Sequence, residues 1–337
     1  MGLYHPVTIG SLTLRGNLFL APVAGYTDRA FRSVCIEQGA DFTYTELVSS
    51  EALTRNTAKT ACAALLARGE NEEHYAIQLF GSNPEVMYRA ALLLAPYHPD
   101  AVDINAGCPV PKVVKTGAGS ALMAAPDTLG RIVQGVVRAS REVLGEVPVT
   151  VKLRSGWTAE ELTYRTCARI AADAGAAMVC LHPRTRDQGY AGKSDWSLIA
   201  DLVSRIDLPV AGSGDLFRPE DAERMLRETG CTAVMFARGA MGNPFIFSAT
   251  KSFLKNGSWQ PPETPERLRI AFTQLIFLAQ EKGERTACRE MRKQFCAYTK
   301  GHLGGPGCPG GAAVRNRLVH AETIEEYREI LKPLGLP

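Results

Sequence analysis

Short apolar runs alternate with longer amphipathic segments along the first 240 residues, and this alternation constrains the fold more than any other feature. The runs are Leu18–Pro22, Phe42–Glu46, Tyr75–Phe80, Ala101–Asn105, Val147–Arg154, Ala177–His182, Leu208–Gly214 and Ala233–Arg238. The segments with a helical pattern are Asp28–Gln38, Pro84–Ala95, Asp127–Leu144, Ala159–Ala174, Asp195–Arg205 and Pro219–Glu228. Runs this apolar are typical of parallel strands buried on both faces. Eight such units predict an α/β protein built on a (β/α)8 TIM barrel.

An open, doubly wound sheet is the competing architecture for the same alternation. No GxGxxG motif follows the first predicted strand, which counts against a Rossmann domain. The connection from Glu46 to Tyr75 is longer than the others, and its pattern predicts no clear element.

Most of the predicted strands end on or beside a polar residue. These residues are Glu46, Gln78, Asn105, Lys152, His182, Ser213 and Arg238. In a barrel the carboxyl ends of all strands meet at one face, where active sites are built. Lys152, inside the run VTVKLR, would point into the barrel mouth, and a buried ammonium is costly unless a ligand meets it. We therefore expect a ligand site at this face.

The last two strands indicate what this ligand contains. Ser213-Gly214-Asp215 follows the seventh strand, and Ala237-Arg238 follows the eighth. Barrels often bind phosphate at these two positions through exposed backbone N–H groups and a helix N-terminus. A phosphate beside a lysine, a histidine and an amide suits either a sugar phosphate or FMN.

A single thiol follows the fourth predicted strand. Glycine before Cys108 and proline after it hold this cysteine out of regular structure. Lys112, Lys115 and two glycines follow, which suits an anionic ligand close to the backbone. The nine cysteines form no CxxC pair and no zinc spacing, so we expect no metal site and reduced thiols in a cytoplasm.

Targeting and membrane segments are not expected. The N-terminal residues lack the basic and apolar regions of a signal peptide, and no run approaches the ~18 apolar residues that a membrane span requires. The composition, 45% hydrophobic and 22% charged, is that of an ordinary globular protein. We therefore expect a cytoplasmic protein without membrane contact, and a monomer.

Positive charge is concentrated at the C-terminal end. Residues 1–250 contain 24 Lys and Arg against 26 Asp and Glu, whereas residues 251–337 contain 14 against 9. The proline-rich stretch 256–266 is predicted to be a linker. This divides the chain into a barrel domain, residues 1–255, and a helical domain, residues 267–337, that would meet an anionic partner.

The helical domain carries a basic face. Its predicted helices are Ala271–Lys282, Thr286–Thr299 and Thr323–Leu331. The second helix places Arg285, Arg289, Arg292 and Lys293 on one side, and Tyr298, Lys300, the segment 301–311, Arg315 and Arg317 would extend this surface. Residues 282–317 contain eight Lys and Arg but two Glu, which favours RNA or phosphate binding over a solvated face.

Several motifs in one order identify the chain as resembling the tRNA-dihydrouridine synthase family, the flavin-dependent bacterial type, over nearly its whole length. They are APVAGYTD, IQLFGS, DINAGCP with KVVKTGAGSALM, VKLRSGW, LHPRTRDQGY with the following GKSDW, GSGD and ARGAMGNPFIF. Three residues depart from the usual family pattern: Val23 replaces Met, Ser213 replaces Asn, and Gln294 replaces His.

The resemblance implies FMN across the barrel mouth and NADPH as its reductant. The residues that would hold FMN are Pro22, Val23, Ala24, Gln78, Lys152, His182, Ser213, Gly214, Asp215, Ala237 and Arg238. The residues that would contact the tRNA are Asn105, Lys112, Arg154, Arg285, Arg289, Arg292, Lys293, Lys300 and Arg315. A hydride would pass from reduced FMN to C6 of a uridine, and Cys108 would donate the proton to C5. An ordinary thiol, with a pKa near ~8.5, holds that proton at pH 7.

Three other functions are compatible with parts of the pattern. Lys152 could form the Schiff base of a phosphosugar aldolase or isomerase. A degenerate barrel could bind RNA without catalysis, although Gln78, Cys108, Lys152 and His182 are all present. A dihydroorotate dehydrogenase-like flavin enzyme could act on a free pyrimidine, but the basic C-terminal region would then have no purpose.

Overall fold

The computed structural model describes residues 2–55, 59–303 and 311–335. The strands are β1 (Val7–Ile9), β2 (Leu12–Leu14), β3 (Leu18–Leu20), β4 (Thr43–Tyr44), β5 (Val48–Ser49), β6 (Tyr75–Phe80), β7 (Ala101–Ala106), β8 (Val149–Arg154), β9 (Met178–His182), β10 (Val210–Ser213) and β11 (Ala233–Phe236). The helices are α1 (Arg29–Glu37), α2 (Ser50–Thr54), α3 (Lys59–Leu66), α4 (Pro84–Leu92), α5 (Pro111–Val114), α6 (Pro126–Val143), α7 (Tyr164–Asp173), α8 (Ser197–Val203), α9 (Pro219–Thr229), α10 (Ile246–Asn256), α11 (Thr264–Lys282), α12 (Glu284–Thr299), α13 (Gly311–His320) and α14 (Ile324–Leu331).

Eight parallel strands form a closed barrel. Their order around the sheet is β3-β11-β10-β9-β8-β7-β6-β4, and β5 extends the pairing of β6. A parallel bridge between Phe19 and Phe42 joins β3 to β4, and Leu20 N donates to Phe42 O at 2.9 Å. The predicted TIM barrel is confirmed, and the open sheet is excluded because the two end strands meet.

Apolar side chains close the amino end of the barrel. Alternate residues of each strand point inward, and the apolar cluster at this end includes Phe19, Phe42, Tyr44 and Met178. The antiparallel hairpin of β1 and β2 packs against this cluster. The opposite end is therefore the accessible mouth of the barrel.

Higher inward positions of β6 to β9 carry polar side chains. Gln78, Asp103 and Thr150 lie in register on three neighbouring strands and are all buried. One layer higher, Asn105 lies beside Lys152. The same strands bury their outward residues against the helices, so a polar interior can exist inside an otherwise apolar sheet.

The connections differ from the sequence pattern more than the strands do. The long link between β4 and β6 contains β5, α2 and α3, which the pattern did not predict. Helix α7 begins at Tyr164, five residues after the predicted start at Ala159. A turn occupies the intervening residues, in which Trp157 N donates to Glu161 O at 3.2 Å. Gly156 lies so close to Glu161 O that a side chain would not fit there.

The C-terminal helices pack directly on the barrel. Helix α11 begins at Thr264, inside the predicted linker 256–266, and lies along α1, where Arg29 approaches Glu281 at 3.5 Å. Tyr298 was predicted on the basic surface, but it is buried and donates to Gln274 Oε1 at 2.9 Å. Most of the segment 301–311 lies outside the described residues. The division into two domains stays a prediction.

Within the described ranges, no helix combines the length and apolar character needed to cross a membrane. The same ranges contain no group of three or more His, Cys, Asp or Glu side chains arranged to hold a metal ion. The eight described cysteines are unpaired thiols, and Cys308 lies outside the described part of the chain.

Candidate active site

A cavity opens at the carboxyl ends of the barrel strands and collects most of the residues predicted for the cofactor. The predicted cofactor residues in its wall are Pro22, Val23, Ala24, Lys152, His182, Ser213, Gly214, Asp215, Ala237 and Arg238. Three residues predicted to contact the substrate line the same cavity, namely Asn105, Cys108 and Arg154. The remaining predicted residues lie elsewhere: Gln78, Lys112, Arg285, Arg289, Arg292, Lys293, Lys300 and Arg315.

The Cys108 thiol lies half-buried in the cavity wall. Its loop follows β7 and is held by Asn105 Oδ1, which accepts hydrogen bonds from Gly107 N at 3.2 Å and Cys108 N at 2.9 Å. Burial raises the pKa of the thiol, although a backbone N–H at Val110 and the charges of Arg154 and Lys152 oppose this shift. The thiol therefore stays protonated at neutral pH, as a proton donor requires.

Lys152 presents a cation to the cavity. It lies on β8, facing inward beside Asn105. Within residues 2–55, 59–303 and 311–335, no group forms an ion pair or hydrogen bond with its ammonium. Because a partly buried ammonium without a partner is unfavourable, this side chain suits a bound ligand with negative charge or exposed oxygen atoms.

Arg154 forms structural hydrogen bonds that were not predicted from the sequence. Its Nε donates to Gly107 O at 2.8 Å, and Nη1 donates to Thr185 O and Gly189 O, both at 2.8 Å. Burial is the largest cause of its lowered pKa. Its guanidinium thus joins the Cys108 loop to the loop after β9, and its predicted contact with the substrate stays a prediction.

Arg184, which was not predicted from the sequence, sets the state of His182. Its side chain is buried, and Nη1 lies 3.1 Å from His182 Nε2. A guanidinium only donates, so Nε2 accepts and the ring proton lies on Nδ1. Burial, followed by the charges of Lys152 and nearby arginines, lowers the pKa of His182 well below its ordinary value. The imidazole is therefore neutral and offers one donor.

Asp215 connects the two phosphate-type loops. Its carboxylate accepts from Ser194 N at 2.8 Å, from Arg184 Nη2 at 2.7 Å and from Arg238 Nη2 at 3.0 Å. Burial opposes its ionisation, but these donors and charges outweigh burial and lower its pKa. Gly214, with φ +110, lies against Ser194 and His182 where a side chain would collide. Gly214 also lines the cavity.

Exposed apolar side chains form part of the cavity rim. Tyr190 is 58% exposed, Val110 50% and Phe217 48%, and all three line the cavity. Arg238 lies 4.9 Å from the Tyr190 ring and 5.3 Å from the Phe217 ring. The sequence did not predict these residues because single apolar residues in loops carry no periodic signal. Tyr190 is part of the DQGY motif, which could have indicated it.

Gln78 lies beneath the cavity floor. It is fully buried, its Nε2 donates to Asp103 Oδ2 at 2.6 Å, and its Oε1 accepts from Asn105 Nδ2 at 2.8 Å. Both ends of its amide are thus engaged with neighbouring strands. The structure does not place Gln78 in the wall of the cofactor cavity, because its amide is turned along the barrel interior.

The predicted basic face of α12 divides into two parts. Arg285, Arg289 and Arg292 line one surface groove, where Arg292 approaches Glu322 at 3.8 Å. Lys293 instead turns to the barrel, where it donates to Gly25 O and lies 4.5 Å from the Tyr26 ring.

The other predicted tRNA-binding cations differ in their surroundings. Lys112 is exposed on α5, and Lys300 is exposed at the end of α12. Arg315 is half-buried and donates to Leu303 O at 3.1 Å.

Comparison with known proteins decides the family. The dihydrouridine synthase family model matches residues 19–333. A probable tRNA-dihydrouridine synthase of Treponema pallidum is 50% identical over 98% of this chain and 96% of the relative. The chain belongs to the dihydrouridine synthase family. A tRNA-dihydrouridine synthase B of Xanthomonas campestris is 35% identical over 94% of this chain and 92% of the relative. The resemblance inferred from the motifs is confirmed, as is the prediction of an enzyme of this family.

Solved structures with low sequence identity share the barrel of this chain. The old yellow enzyme homologue from Zymomonas mobilis is 14% identical, with a TM-score of 0.51, over 77% of this chain and 94% of that one. Histamine dehydrogenase from Rhizobium sp. 4-9 is also 14% identical, with a TM-score of 0.56, over 81% of this chain and 50% of that one. These likenesses support the fold alone.

Two of the departures from the family pattern can be located in the structure. Ser213 Oγ donates to Met235 O at 3.0 Å, so its hydrogen is used within the barrel. Gln294 is buried within α12.

Proposed function

We propose that the chain is an FMN-dependent tRNA-dihydrouridine synthase. It reduces the C5=C6 bond of specific uridines in tRNA to 5,6-dihydrouridine, with NADPH as the reductant. The observation that carries this proposal is that one cavity wall holds both the protonated Cys108 thiol and the Lys152 ammonium. This ammonium has no partner among the described residues. Family membership supplies the reaction class, and the residues of this cavity match its needs.

The donor set of the cavity fits FMN. Lys152 offers a cation to the polar edge of a flavin ring, and neutral His182 offers a single N–H. Half-exposed Arg238 and Gly214, which both line the cavity, suit the phosphate group. Bound FMN, once reduced by NADPH, would supply the hydride that adds to C6 of the base.

Cys108 completes the reduction by donating its proton to C5. Its raised pKa keeps the acid loaded at neutral pH. The thiolate left behind lies near the positive charges of Arg154 and Lys152, which favour the charged form once the proton has gone. Asn105 holds the loop that carries the thiol, so the acid stays at the cavity wall.

The substrate base has to leave its stack to reach this cavity. The exposed rim of Val110, Tyr190 and Phe217 offers apolar surface to an extruded nucleotide. Arg285, Arg289 and Arg292 would contact phosphates outside the mouth and offset the lost stacking. This groove favours tRNA over a free pyrimidine as substrate.

Cofactor content tests the cavity assignment. Heating the purified protein is expected to release FMN, and Lys152→Ala is expected to abolish most of that release because the cavity loses its cation. Exposed Lys332, on the C-terminal helices, provides the matched control, and Lys332→Ala should retain full FMN. Release of FAD, or of no flavin at all, from the wild-type protein would contradict the proposal.

A further inference from the structure

A chain of hydrogen bonds runs beneath the cavity from β8 to the loop of Cys108. Thr150 Oγ1 donates to Asp103 Oδ1 at 2.5 Å, and Gln78 Nε2 donates to Asp103 Oδ2 at 2.6 Å. Asn105 Nδ2 then donates to Gln78 Oε1 at 2.8 Å. Asn105 Oδ1 finally accepts from Gly107 N and Cys108 N. The four side chains that form these hydrogen bonds are nearly or fully buried, so water does not compete for the bonds.

The two ends of this chain require the same orientation of both amides. At one end an ionised carboxylate only accepts, so Gln78 has to present its NH₂ group to Asp103. At the other end two backbone N–H groups only donate, so Asn105 has to present its oxygen to the Cys108 loop. In this orientation Asn105 Nδ2 faces Gln78 Oε1, so the hydrogen bond between the two amides pairs a donor with an acceptor.

This arrangement requires an ionised Asp103, and its carboxyl group is ionised at neutral pH. Burial raises its pKa to about 6, against the hydrogen bonds from Gln78 and Thr150 and the charge of Lys152. Its carboxylate is therefore present at neutral pH. A buried carboxylate that makes no contact with the cavity needs another reason to be there, since burial of a charge is costly.

We propose that Asp103 is a positioning residue that orients the Gln78 and Asn105 amides and thereby holds the Cys108 loop in its proton-donating position. If the Gln78 amide turned over, Asn105 would turn with it and point its NH₂ group at two backbone N–H groups. The loop would lose its acceptor and shift. The catalytic consequence rests on the proposed function, whereas the effect on the loop does not.

An exchange of charge between two positions tests the orientation directly. Asp103→Asn replaces the carboxylate by an amide that can accept or donate, so the orientation of the Gln78 amide is no longer fixed. In the double variant Asp103→Asn with Gln78→Glu, the new amide at position 103 donates to the new carboxylate at position 78. Because that carboxylate only accepts, Asn105 Nδ2 again has to donate to it, and the polarity at the Cys108 loop is restored.

Two readouts are needed on the holoenzyme at pH 7.5. Alkylation of Cys108 by iodoacetamide, followed by mass spectrometry of its peptide, should accelerate about threefold or more in Asp103→Asn because the loop opens more often. Dihydrouridine formation in tRNA should fall on the order of tenfold because the acid is misplaced. The double variant should return both rates to within about twofold of wild type, since it restores the bond pattern.

Gln78→Met provides a second variant that introduces no charge. It removes both amide contacts at nearly constant volume, and the same changes in both rates are expected. The proposal is overturned if Gln78→Met leaves Cys108 alkylation unchanged, or if the double variant is as impaired as Asp103→Asn. An inactive wild-type enzyme would contradict the proposed function instead, and the alkylation rates would still decide the role of Asp103.

Discussion

At the scale of single residues, the cavity keeps each group in one protonation state. Burial keeps Cys108 protonated and His182 neutral, whereas Asp215 is kept ionised by its arginine partners. A proton donor needs the opposite tuning from a nucleophilic cysteine, whose pKa is lowered. The environment of Cys108 therefore favours acid catalysis over covalent catalysis.

Replacement of Cys108 should separate the two half-reactions. We expect Cys108→Ala to leave FMN reduction by NADPH nearly intact and to slow uridine reduction on the order of 10² to 10⁴-fold, the usual contribution of a positioned acid. Stopped-flow absorbance of the flavin measures both steps. Cys296, exposed on α12, gives the control Cys296→Ala, which should match wild type. Equal loss in both half-reactions would show that Cys108 is structural.

The pH dependence of uridine reduction should report the same thiol. An acid works while protonated, and burial raises the pKa of the Cys108 thiol above its ordinary value. The single-turnover rate with tRNA should therefore stay level from pH 7 to 9 and fall only at higher pH. Cys108→Ala should remove this alkaline fall. A wild-type rate that rises with pH across that range would mean that a deprotonated group is required.

At the scale of elements, one close backbone contact fixes the position of α12 on the barrel. Gly242, in the loop between β11 and α10, has φ +64, and a Cβ there would lie 2.5 Å from Ala297 C and Tyr298 N. Backbone cannot move aside as a flexible side chain can. The loop therefore fixes the distance between the helix that carries the arginine groove and the barrel mouth.

Alanine at two glycines should measure this contact. Gly257, with φ +73, has no neighbour within 4 Å of the point that a Cβ would occupy, so Gly257→Ala loses only the backbone term of about 1 kcal/mol. Gly242→Ala should lose roughly 1–3 kcal/mol more because it also overpacks the contact. Urea unfolding followed by circular dichroism gives both values. Equal losses would mean that α12 does not rest on this loop.

Strand positions and the cavity wall were predictable because both follow from periodicity. Inward positions of a parallel strand alternate, and strand ends converge, so Asn105, Lys152 and His182 could be placed in one cavity. Arg184 and Asp103 were missed because their tasks depend on partners from distant segments. The turn before α7 was missed because residues 159–163 continue the helical pattern, whereas the close backbone contacts at Gly156 leave no trace in the sequence. Residues 264–266 were likewise predicted to belong to a linker, but they begin α11, which packs on α1.

At the scale of the whole molecule, the proposed chemistry and the proposed RNA binding fall in different parts of the chain. The cavity belongs to the barrel, whereas Arg285, Arg289 and Arg292 lie on the C-terminal helices. Lys293 links the two parts through Gly25, beside the cavity wall formed by Pro22, Val23 and Ala24. Binding of tRNA and binding of cofactor should therefore respond to different mutations.

Charge reversal in the groove should weaken tRNA binding without affecting the cofactor. Arg289→Glu with Arg292→Glu is expected to lower affinity for tRNA and to reduce the salt slope by roughly one unit per lost phosphate contact. FMN content and NADPH oxidation should not change. Exposed Arg224 and Arg227 on α9 provide a control with the same change of charge. If the groove variant binds tRNA with wild-type affinity across a salt titration, the groove is only a solvated surface.

The substrate itself provides the most direct test of the account. Purified enzyme, with NADPH, should be incubated in parallel with an unmodified tRNA transcript, with free uridine and with orotate. Mass spectrometry of the nucleosides should then find 5,6-dihydrouridine at specific positions of the tRNA, with neither free pyrimidine reduced at a comparable rate. Reduction of a free pyrimidine without dihydrouridine in the tRNA would contradict the account, because the cavity would then serve a small-molecule dehydrogenase.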